Sequence, residues 1–296
     1  MTIVYRHLKA REFPEVRQRY RDRDVMLYAL SLGLGRDPLD ERALPFVFEG
    51  RPGGLRVLPT MAAVLGYPGF WVREPDTGID WVHVVHGEQT LQVHAPLPAA
   101  GGVVGHNRIT RVIDKGEGRG ALIAIERRLE SPDGHLYATL QQVLLCRRDG
   151  GFSQQHGGQT SDPPLDSLVP VPTDRPPDLI CDLPTLPESA LLYRLLADLN
   201  PLHADPAVAR DAGFPRPILH GLATFGLAAY ALIRECGQGD ATRLRSLAVR
   251  FAAPVLPGET LRIEVWRAQS ALRFRSRVLE RDCIVLSHGS AHLTDG

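Results

Sequence analysis

The spacing of hydrophobic and polar residues changes along the chain and divides it into segments. A short apolar stretch follows Asp24, a residue type that often precedes a helix, and ends at Gly33. This pattern predicts a helix over 25–32 with Asp24 as its N-cap. A second apolar piece, 55–65, is cut off early at Gly66. The beginning of the chain is therefore predicted to hold two short helical pieces.

From Trp81 onward, apolar residues recur at every second position, which is typical of half-buried strands. Two glycine-containing sequences, Lys115-Gly-Glu-Gly118 and Ser131-Pro-Asp-Gly134, predict tight hairpin turns. The first half is thus expected to continue as an antiparallel meander. Its predicted strands are 81–85, 90–94, 103–112, 120–128 and 136–145.

The second half repeats this order of helices and strands. The segment 221–235 is apolar on nearly every side, which predicts a buried central helix. A short helix is predicted between Asp205, as N-cap, and Gly213, as C-terminal stop. A further helix is predicted over 190–198, and strands over 244–251, 260–269, 272–280 and 283–293.

The two halves align as an internal repeat, with Tyr28 opposite Tyr193. We expect an N-terminal domain over 1–150, a proline-rich extended linker over 151–187 and a C-terminal domain over 188–296. On this alignment the first copy lacks the polar residues of the second, so one active site per chain is expected, in the second half. Gly33, Gly35, Pro38 and Thr60 fall opposite Asp198, Asn200, His203 and Gly221.

Composition narrows the classes of function. The 296 residues suit two domains, and 44% hydrophobic and 23% charged residues are ordinary for a globular protein. Lys+Arg and Asp+Glu are both 34, so no overall basic charge favours nucleic acid or an anionic membrane as a partner. No apolar run reaches about 18 residues, the length expected of a membrane span.

The four cysteines are widely spaced, and none forms the pairs typical of zinc sites or disulfide frameworks. A reducing, cytoplasmic location is the prediction. The N-terminus becomes charged before an apolar core forms, and the last residues do not match a peroxisomal address, so neither a signal peptide nor that address is expected.

The segment from Asp198 to His203 carries the strongest chemical signal. Pro201 disfavours helical backbone at Asn200, so the helix should end near Asp198 and the chain should turn. This turn can bring His203 back towards the carboxylate, as a buried acid and base pair. The helix that begins at Gly221 would present free N–H groups beside the pair, as an anion site.

Several candidate residues also have purely structural interpretations. Asp198 can be a helix-end cap, His203 and Asn200 can be turn residues, and His220 can make a structural hydrogen bond near a helix start. The first-half histidines His83, His86, His94 and His106 do not have the spacing of a metal site, and we expect no bound metal.

Two stretches of the second half, Asp198-Leu-Asn-Pro-Leu-His203 and Gly213-Phe-Pro-Arg-Pro-Ile-Leu-His-Gly221, resemble the (R)-specific enoyl-CoA hydratases of the MaoC-like group. Phe251-Ala-Ala-Pro-Val-Leu-Pro-Gly-Glu-Thr260 and His86-Gly-Glu-Gln89 share the resemblance. It covers most of the chain apart from the linker. It is strongest to the two-repeat form found as the hydratase unit of peroxisomal multifunctional enzymes and as free bacterial proteins.

The resemblance implies an α+β double hot-dog fold, in which each repeat has a central helix wrapped by antiparallel sheet. It also implies a hydro-lyase of fatty acid β-oxidation that reversibly hydrates trans-2-enoyl-CoA to (3R)-hydroxyacyl-CoA, without a cofactor. Asp198 and His203 would hold the water, Asn200 would orient it or Asp198, and the N–H of Gly221 would stabilise the enolate-like charge. Ala197 departs from the family, which usually has glycine there.

Two alternatives to the hydratase stay open at this point. One is a hot-dog dehydratase that acts on another acyl thioester, and the other is a non-catalytic scaffold that binds acyl-CoA. The early end of the first-half helix at Gly66 predicts room for a medium, long or bulky acyl chain. Family analogy also suggests a homodimer.

Overall fold

The computed structural model of the chain describes residues 3–154, 158–196, 198–269 and 271–294. Ala197, the departure noted above, lies outside the described residues. The α-helices are α1 (Tyr5–Lys9), α2 (Asp22–Ser31), α3 (Leu44–Val47), α4 (Ser189–Tyr193), α5 (Pro206–Asp211) and α6 (Gly221–Glu235). Single 3₁₀ helices span Pro59–Val64, Trp71–Arg73, Pro75–Thr77, Trp81–His83, Pro201–His203 and Ala241–Arg243.

The described strands form one antiparallel sheet of ten strands in the order β1-β3-β4-β5-β2-β7-β10-β9-β8-β6. The first five strands are β1 (Val16–Tyr20), β2 (Val84–Val93), β3 (Gly101–Asp114), β4 (Ala121–Glu130) and β5 (Leu136–Cys146). The others are β6 (Leu179–Pro184), β7 (Leu244–Phe251), β8 (Thr260–Arg267), β9 (Leu272–Val278) and β10 (Cys283–Leu293). The second half of the order is the first half reversed. This symmetry confirms the α+β double hot-dog fold.

The two halves meet along a pseudo-twofold axis. Strand β2 pairs with β7, where Glu88 lies opposite Arg250 and their side chains form an ion pair at 2.7 Å. Helices α2 and α4 pack against each other on the inner side of the sheet. There the rings of Tyr28 and Tyr193 lie 6.0 Å apart. The two tyrosines that the sequence alignment places opposite each other are thus neighbours across the axis.

Helix α6 is the centre of the second half. Eleven of its fifteen residues are buried, as its nearly all-apolar sequence predicts. Alanines and Gly226 allow the first half to approach it closely. A Cβ atom on Gly226 would lie 2.8 Å from the Tyr28 hydroxyl and from a methyl group of Leu32. Both ends of α6 agree with the prediction from sequence.

The first half has only a six-residue 3₁₀ helix, Pro59–Val64, in the position that α6 occupies in the second. The chain turns away at Gly66, whose φ of 62° suits glycine. A Cβ on Gly66 would also lie 2.8 Å from the Cα of Gly105, so the backbone of the turn packs directly against strand β3. The predicted early end of this helix is confirmed.

Polar side chains from the sheet satisfy the backbone at the end of this short helix. Arg127 donates from Nη2 to the carbonyl of Ala63 at 2.8 Å. The side chain of Asn107 donates to the carbonyl of Gly66, and the side chain of Gln18 accepts from the N–H of Gly66. The inner face of the first-half sheet is therefore partly polar, because helix-end groups in a buried position need partners.

Several predicted boundaries differ from the structure. The strands predicted at 81–85 and 90–94 are a single strand, β2, with an irregularity between His86 and Glu88, and Trp81–His83 is a 3₁₀ helix. Helix α2 begins at Asp22, and Asp24 accepts from the N–H of Arg21, so Asp24 belongs to the first helical turn and is not the N-cap.

The segment predicted as linker, 151–187, contains strand β6. Leu179, Cys181 and Leu183 point inward in alternation with more exposed residues, and the strand pairs with β8. Prolines surround it, which hides the period of two in the sequence. Its edge position tolerates Pro184, since an edge strand has N–H groups that need no partner strand.

Candidate active site

The chain between α4 and α5 folds into a compact turn around Asn200. This residue has φ −53° and ψ 122°, outside the helical region, as expected before proline. Its side-chain oxygen accepts from the N–H of Leu202 at 3.1 Å and so caps the 3₁₀ helix Pro201–His203. Its backbone N–H donates to Asp198 Oδ1 at 2.9 Å. Helix α4 itself ends at Tyr193, earlier than the predicted end at Asp198.

The turn brings the imidazole of His203 to the carboxylate of Asp198. His203 Nε2 lies 3.9 Å from Asp198 Oδ2, too far for a direct hydrogen bond but suited to one water molecule about 2.8 Å from each. His203 Nδ1 lies 2.8 Å from the carbonyl of Ile218 and donates to it, because a carbonyl can only accept. The lone pair of the neutral ring is therefore on Nε2, on the side of Asp198.

The two partners differ in burial. The side chain of His203 is 9% exposed, whereas that of Asp198 is 49% exposed. The expectation of a buried pair is thus correct for His203 and wrong for Asp198. Burial lowers the pKa of His203, although the Ile218 carbonyl and the Asp198 carboxylate oppose this shift. A neutral His203 near pH 7 can act as a base towards a water shared with an open carboxylate.

His220 supports this pair from the inner side. The ring of His220 stacks on the ring of His203, with the two centroids 3.6 Å apart. The centroid of the Tyr193 ring lies 4.9 Å from that of His220. His220 Nε2 lies 3.2 Å from the backbone carbonyl of Asp198. Burial lowers the pKa of His220 to about 2, and the positive charge that His203 carries when it is protonated adds to this shift. His220 is therefore a neutral residue that positions both members of the pair.

Helix α6 begins beside this group at Gly221. Among the described residues, the backbone N–H of Gly221 has no backbone acceptor, as expected for the first turn of a helix. A Cβ at this position would come within 3.0 Å of the Phe251 ring. The ring of His86 packs on Phe251 at 4.6 Å. Gly221 thus offers an N–H at the positive end of the helix dipole, in a space that admits no side chain.

Asp198, His203 and His220 each bring one ligand atom within 4.8 Å of the others, which is the spacing of a metal site. Within the described ranges this is the one such group. His83 and His94 instead each contact one polar neighbour on the first-half surface, and His106 lies 3.8 Å from Glu15 and 3.6 Å from Glu130. His86 is half-buried, and desolvation lowers its pKa to about 4.

The four residues singled out from sequence, Asp198, Asn200, His203 and Gly221, lie at the same end of α6. The first-half residues that border this end carry no motif. Burial raises the pKa of Tyr67 to about 12, and the negative charge of Asp198 adds to the rise. The guanidinium carbon of Arg127 lies 5.7 Å from the centroid of the Tyr67 ring. Only the fold brings these two residues to the site.

Two family models match the chain, one on each repeat. Residues 18–147 match the MFE-2 hydratase 2 N-terminal domain, and residues 169–288 match the MaoC like domain. The chain is 39% identical to enoyl-CoA hydratase ChsH3 of Mycobacterium tuberculosis over 86% of either protein. It is 37% identical to the peroxisomal enoyl-CoA hydratase 2 of Arabidopsis thaliana, over 95% of this chain and 92% of the relative.

Among solved structures, the MaoC-like dehydratase of Phytophthora capsici superposes with a TM-score of 0.83 and 28% identity. The match covers 98% of this chain and 99% of that one. The likeness in sequence and in structure therefore extends over both repeats. The chain belongs to the MaoC-like enoyl-CoA hydratase 2 family, in its two-repeat form.

Proposed function

We propose that this protein is a hydro-lyase that hydrates trans-2-enoyl-CoA to (3R)-hydroxyacyl-CoA in a reversible reaction. The arrangement that carries the proposal is the 3.9 Å gap between His203 Nε2 and Asp198 Oδ2 at the start of α6. The full-length relatives named as enoyl-CoA hydratases support it. The reaction is a step of fatty acid β-oxidation, and coenzyme A enters as part of the substrate.

In the proposed mechanism, Asp198 and His203 hold one water between them. His203 Nε2 accepts a proton from this water as the water oxygen bonds to C3 of the substrate. The double bond between C2 and C3 becomes a single bond in this step. The pair then returns a proton to C2, so that one water is added overall. His203 can fill this role because its Nδ1 hydrogen is held by Ile218 and burial keeps the ring neutral.

Addition at C3 places negative charge on the thioester oxygen. The N–H of Gly221, at the positive end of α6, is proposed to donate to this oxygen. Asn200 acts through its backbone N–H on Asp198 and through its side chain on the turn that carries His203. No step requires a metal or a redox group.

We further propose a division of labour between the repeats. Residues 1–150 accommodate the acyl tail, residues 151–187 connect the repeats, and residues 188–296 carry the catalytic site. The end of the first-half helix at Gly66 supports this, because a full-length helix would occupy the space that a medium, long or bulky tail needs. Higher kcat/KM for trans-2-decenoyl-CoA than for crotonyl-CoA is expected. A strict short-chain preference would refute the proposed tail site.

Location and assembly are also proposals. The four free cysteines suit the reducing cytoplasm predicted from sequence, whereas the Arabidopsis relative is peroxisomal by name. None of the described helices is long and apolar enough to cross a membrane. A homodimer of the two-repeat chain is proposed by family analogy, and light scattering after gel filtration measures its mass.

The hydration of a trans-2-enoyl-CoA, followed by loss of enoyl absorbance and chiral analysis of the product, tests the proposed activity. We expect saturable turnover and a (3R) product. A (3S) product, or no turnover of short or long substrates, would contradict the proposal.

A further inference from the structure

Arg127 is a buried cation in a row of apolar residues. It lies on the inward face of β4, where its neighbours on the same face are Ile123, Ile125 and Leu129. It is 8% exposed, and burial lowers its pKa to about 10, so it still carries a positive charge at neutral pH. A buried charge is costly unless it is paired.

The described residues satisfy only part of this guanidinium. Nη2 donates to the carbonyl of Ala63, but Nε and Nη1 are buried without a hydrogen-bond partner. Among the ion pairs of the described residues, none includes Arg127. Its contact with the Tyr67 ring is a cation–π contact, which leaves the edge of the guanidinium free. Two N–H directions of Arg127 are therefore unused.

Arg127 borders the catalytic group. The charges of Arg127 and Asp198 both act on Tyr67, whose ring contacts the Arg127 guanidinium. The same two charges act on Tyr193, whose ring packs against His220. His86 packs on Phe251 beside Gly221, and the charge of Arg127 contributes to the lowered pKa of His86.

The second repeat has no such residue on the corresponding strand. The inward residues of β9 are Phe274, Ser276 and Val278, under the full-length α6. In the first repeat the 3₁₀ helix ends at Val64, so the inner face of β4 lacks the cover of a full-length helix. In an acyl-CoA enzyme, an acyl tail is the group that can take the place of the missing helical turns.

We propose that Arg127 is a specificity-determining residue that binds an oxygen function on the acyl tail of the substrate. This inference rests on the proposed hydratase function and adds the substrate class. The tail carries a hydrogen-bond-accepting oxygen, and a carboxylate is the best match because it also neutralises the buried charge. The preferred substrates are then trans-2-enoyl-CoAs with a carboxylate at the far end, ahead of hydroxylated tails and plain alkyl tails.

The test compares kcat/KM of the full-length protein for matched substrates. Trans-2-octenedioyl-, decenedioyl- and dodecenedioyl-CoA cover different tail lengths, and each is paired with its alkyl and terminal-hydroxy counterparts. We expect at least one carboxylate substrate to exceed its alkyl counterpart by about 10- to 100-fold, as for one hydrogen-bonded charge pair. Arg127→Met should abolish this ratio.

Arg128→Met is the matched control, since Arg128 is on the same strand but faces outward and pairs with Glu130. It should keep the wild-type ratio. Arg127→Gln is the second variant, because its amide can still donate to Ala63 while the charge is lost. The ratio of kcat/KM for carboxylate and alkyl substrates is measured on the wild-type protein, so it does not depend on whether either Arg127 variant folds.

Equal kcat/KM for carboxylate and alkyl tails, with normal crotonyl-CoA turnover, would overturn this inference and leave the hydratase function intact. The same holds for a carboxylate preference that survives both Arg127 substitutions. No turnover of any substrate would overturn the hydratase function and this inference with it.

Discussion

The two repeats share one scaffold but differ at the positions where chemistry is possible. Both have five strands in the same order and a short helix carrying Tyr28 or Tyr193. In the second, the loop after this helix brings Asp198 and His203 together beside α6. In the first, the aligned positions are glycine and proline, and the central helix is a single 3₁₀ segment. The comparison shows that the fold does not need the acid and base, which favours a chemical role for them.

The same comparison explains why the first repeat is kept. It supplies half of the sheet and the face against which α6 packs, through Tyr28 and Leu32. It also borders the site with Tyr67 and Arg127. A repeat that has lost its own catalytic residues can therefore still shape the substrate space of its neighbour.

The largest expected effect is the loss of the catalytic pair. Asp198→Asn and His203→Ala should each lower kcat for enoyl-CoA hydration by about 10²- to 10⁴-fold, the usual contribution of a general acid or base. Steady-state kinetics with circular dichroism to confirm folding measure this.

The matched control is Asp37→Asn in the first repeat. Asp37 also caps a turn, since its side chain accepts from the N–H of Leu39 at 2.9 Å, much as Asn200 accepts from Leu202. We expect kcat within about two-fold of wild type, because an exposed turn residue outside the site has no role in the reaction. An equal loss in Asp37→Asn, or near-normal rates in both site variants, would refute the division between the repeats.

The next effect concerns stability. Phe225 in α6 is fully buried, and Phe225→Ala should lower the free energy of unfolding by about 3–5 kcal/mol, because it leaves a cavity in the common core. Removing the partly exposed Leu222 side chain at the start of the same helix should cost less. Urea unfolding measures both variants. A cost below about 1 kcal/mol for Phe225→Ala would mean that α6 is not the centre of the core.

The pH dependence of stability follows from one desolvated histidine in each repeat. Burial lowers the pKa of His86 to about 4 and that of His220 to about 2, from an ordinary value of 6.5. Between these values and 6.5 the unfolded chain binds more protons, so stability is complete above pH 6.5 and falls as pH decreases. Each histidine contributes a slope of about 1.4 kcal/mol per pH unit.

His86→Gln isolates the first-repeat share of this slope. The unfolding free energy of wild type and variant, measured from pH 4.5 to 7, should converge at low pH as the slope of one histidine disappears. Parallel curves would show that the pKa of His86 is the same in the folded and the unfolded protein.

The smallest effect is at the junction of the repeats. Glu88 and Arg250 form an ion pair across β2 and β7, with 41% of the Arg250 side chain exposed. A double-mutant cycle with Glu88→Gln and Arg250→Gln should give a coupling of about 0.2–1 kcal/mol that weakens in high salt. A salt-independent coupling above about 2 kcal/mol would make this pair a main tie between the repeats.

Regular periods made most of the fold predictable from sequence. Strands β7 and β10 and helix α6 have the predicted bounds, because alternation and apolar content are local properties. Strand β6 was missed because prolines surround it. Strand β2 appeared as two pieces because Gly87 interrupts its alternation.

The candidate site was partly predictable for a related reason. Asp198, Asn200, His203 and Gly221 stand in two nearby stretches whose turn chemistry is local. Tyr67 and Arg127 are far apart in sequence, and only the fold brings them together near Asp198. Arg127 also sits in the run Glu126-Arg-Arg128, where only the register of β4 reveals which arginine faces inward.

The central claim is one catalytic site per chain, formed at the start of α6. Calorimetric titration of Asp198→Asn protein, which binds but turns over slowly, with trans-2-decenoyl-CoA counts the sites directly. The account predicts one equivalent bound per chain, and no change in that number in the Asp37→Asn, Asp198→Asn double variant. Two equivalents per chain, or loss of binding on changing Asp37, would contradict it.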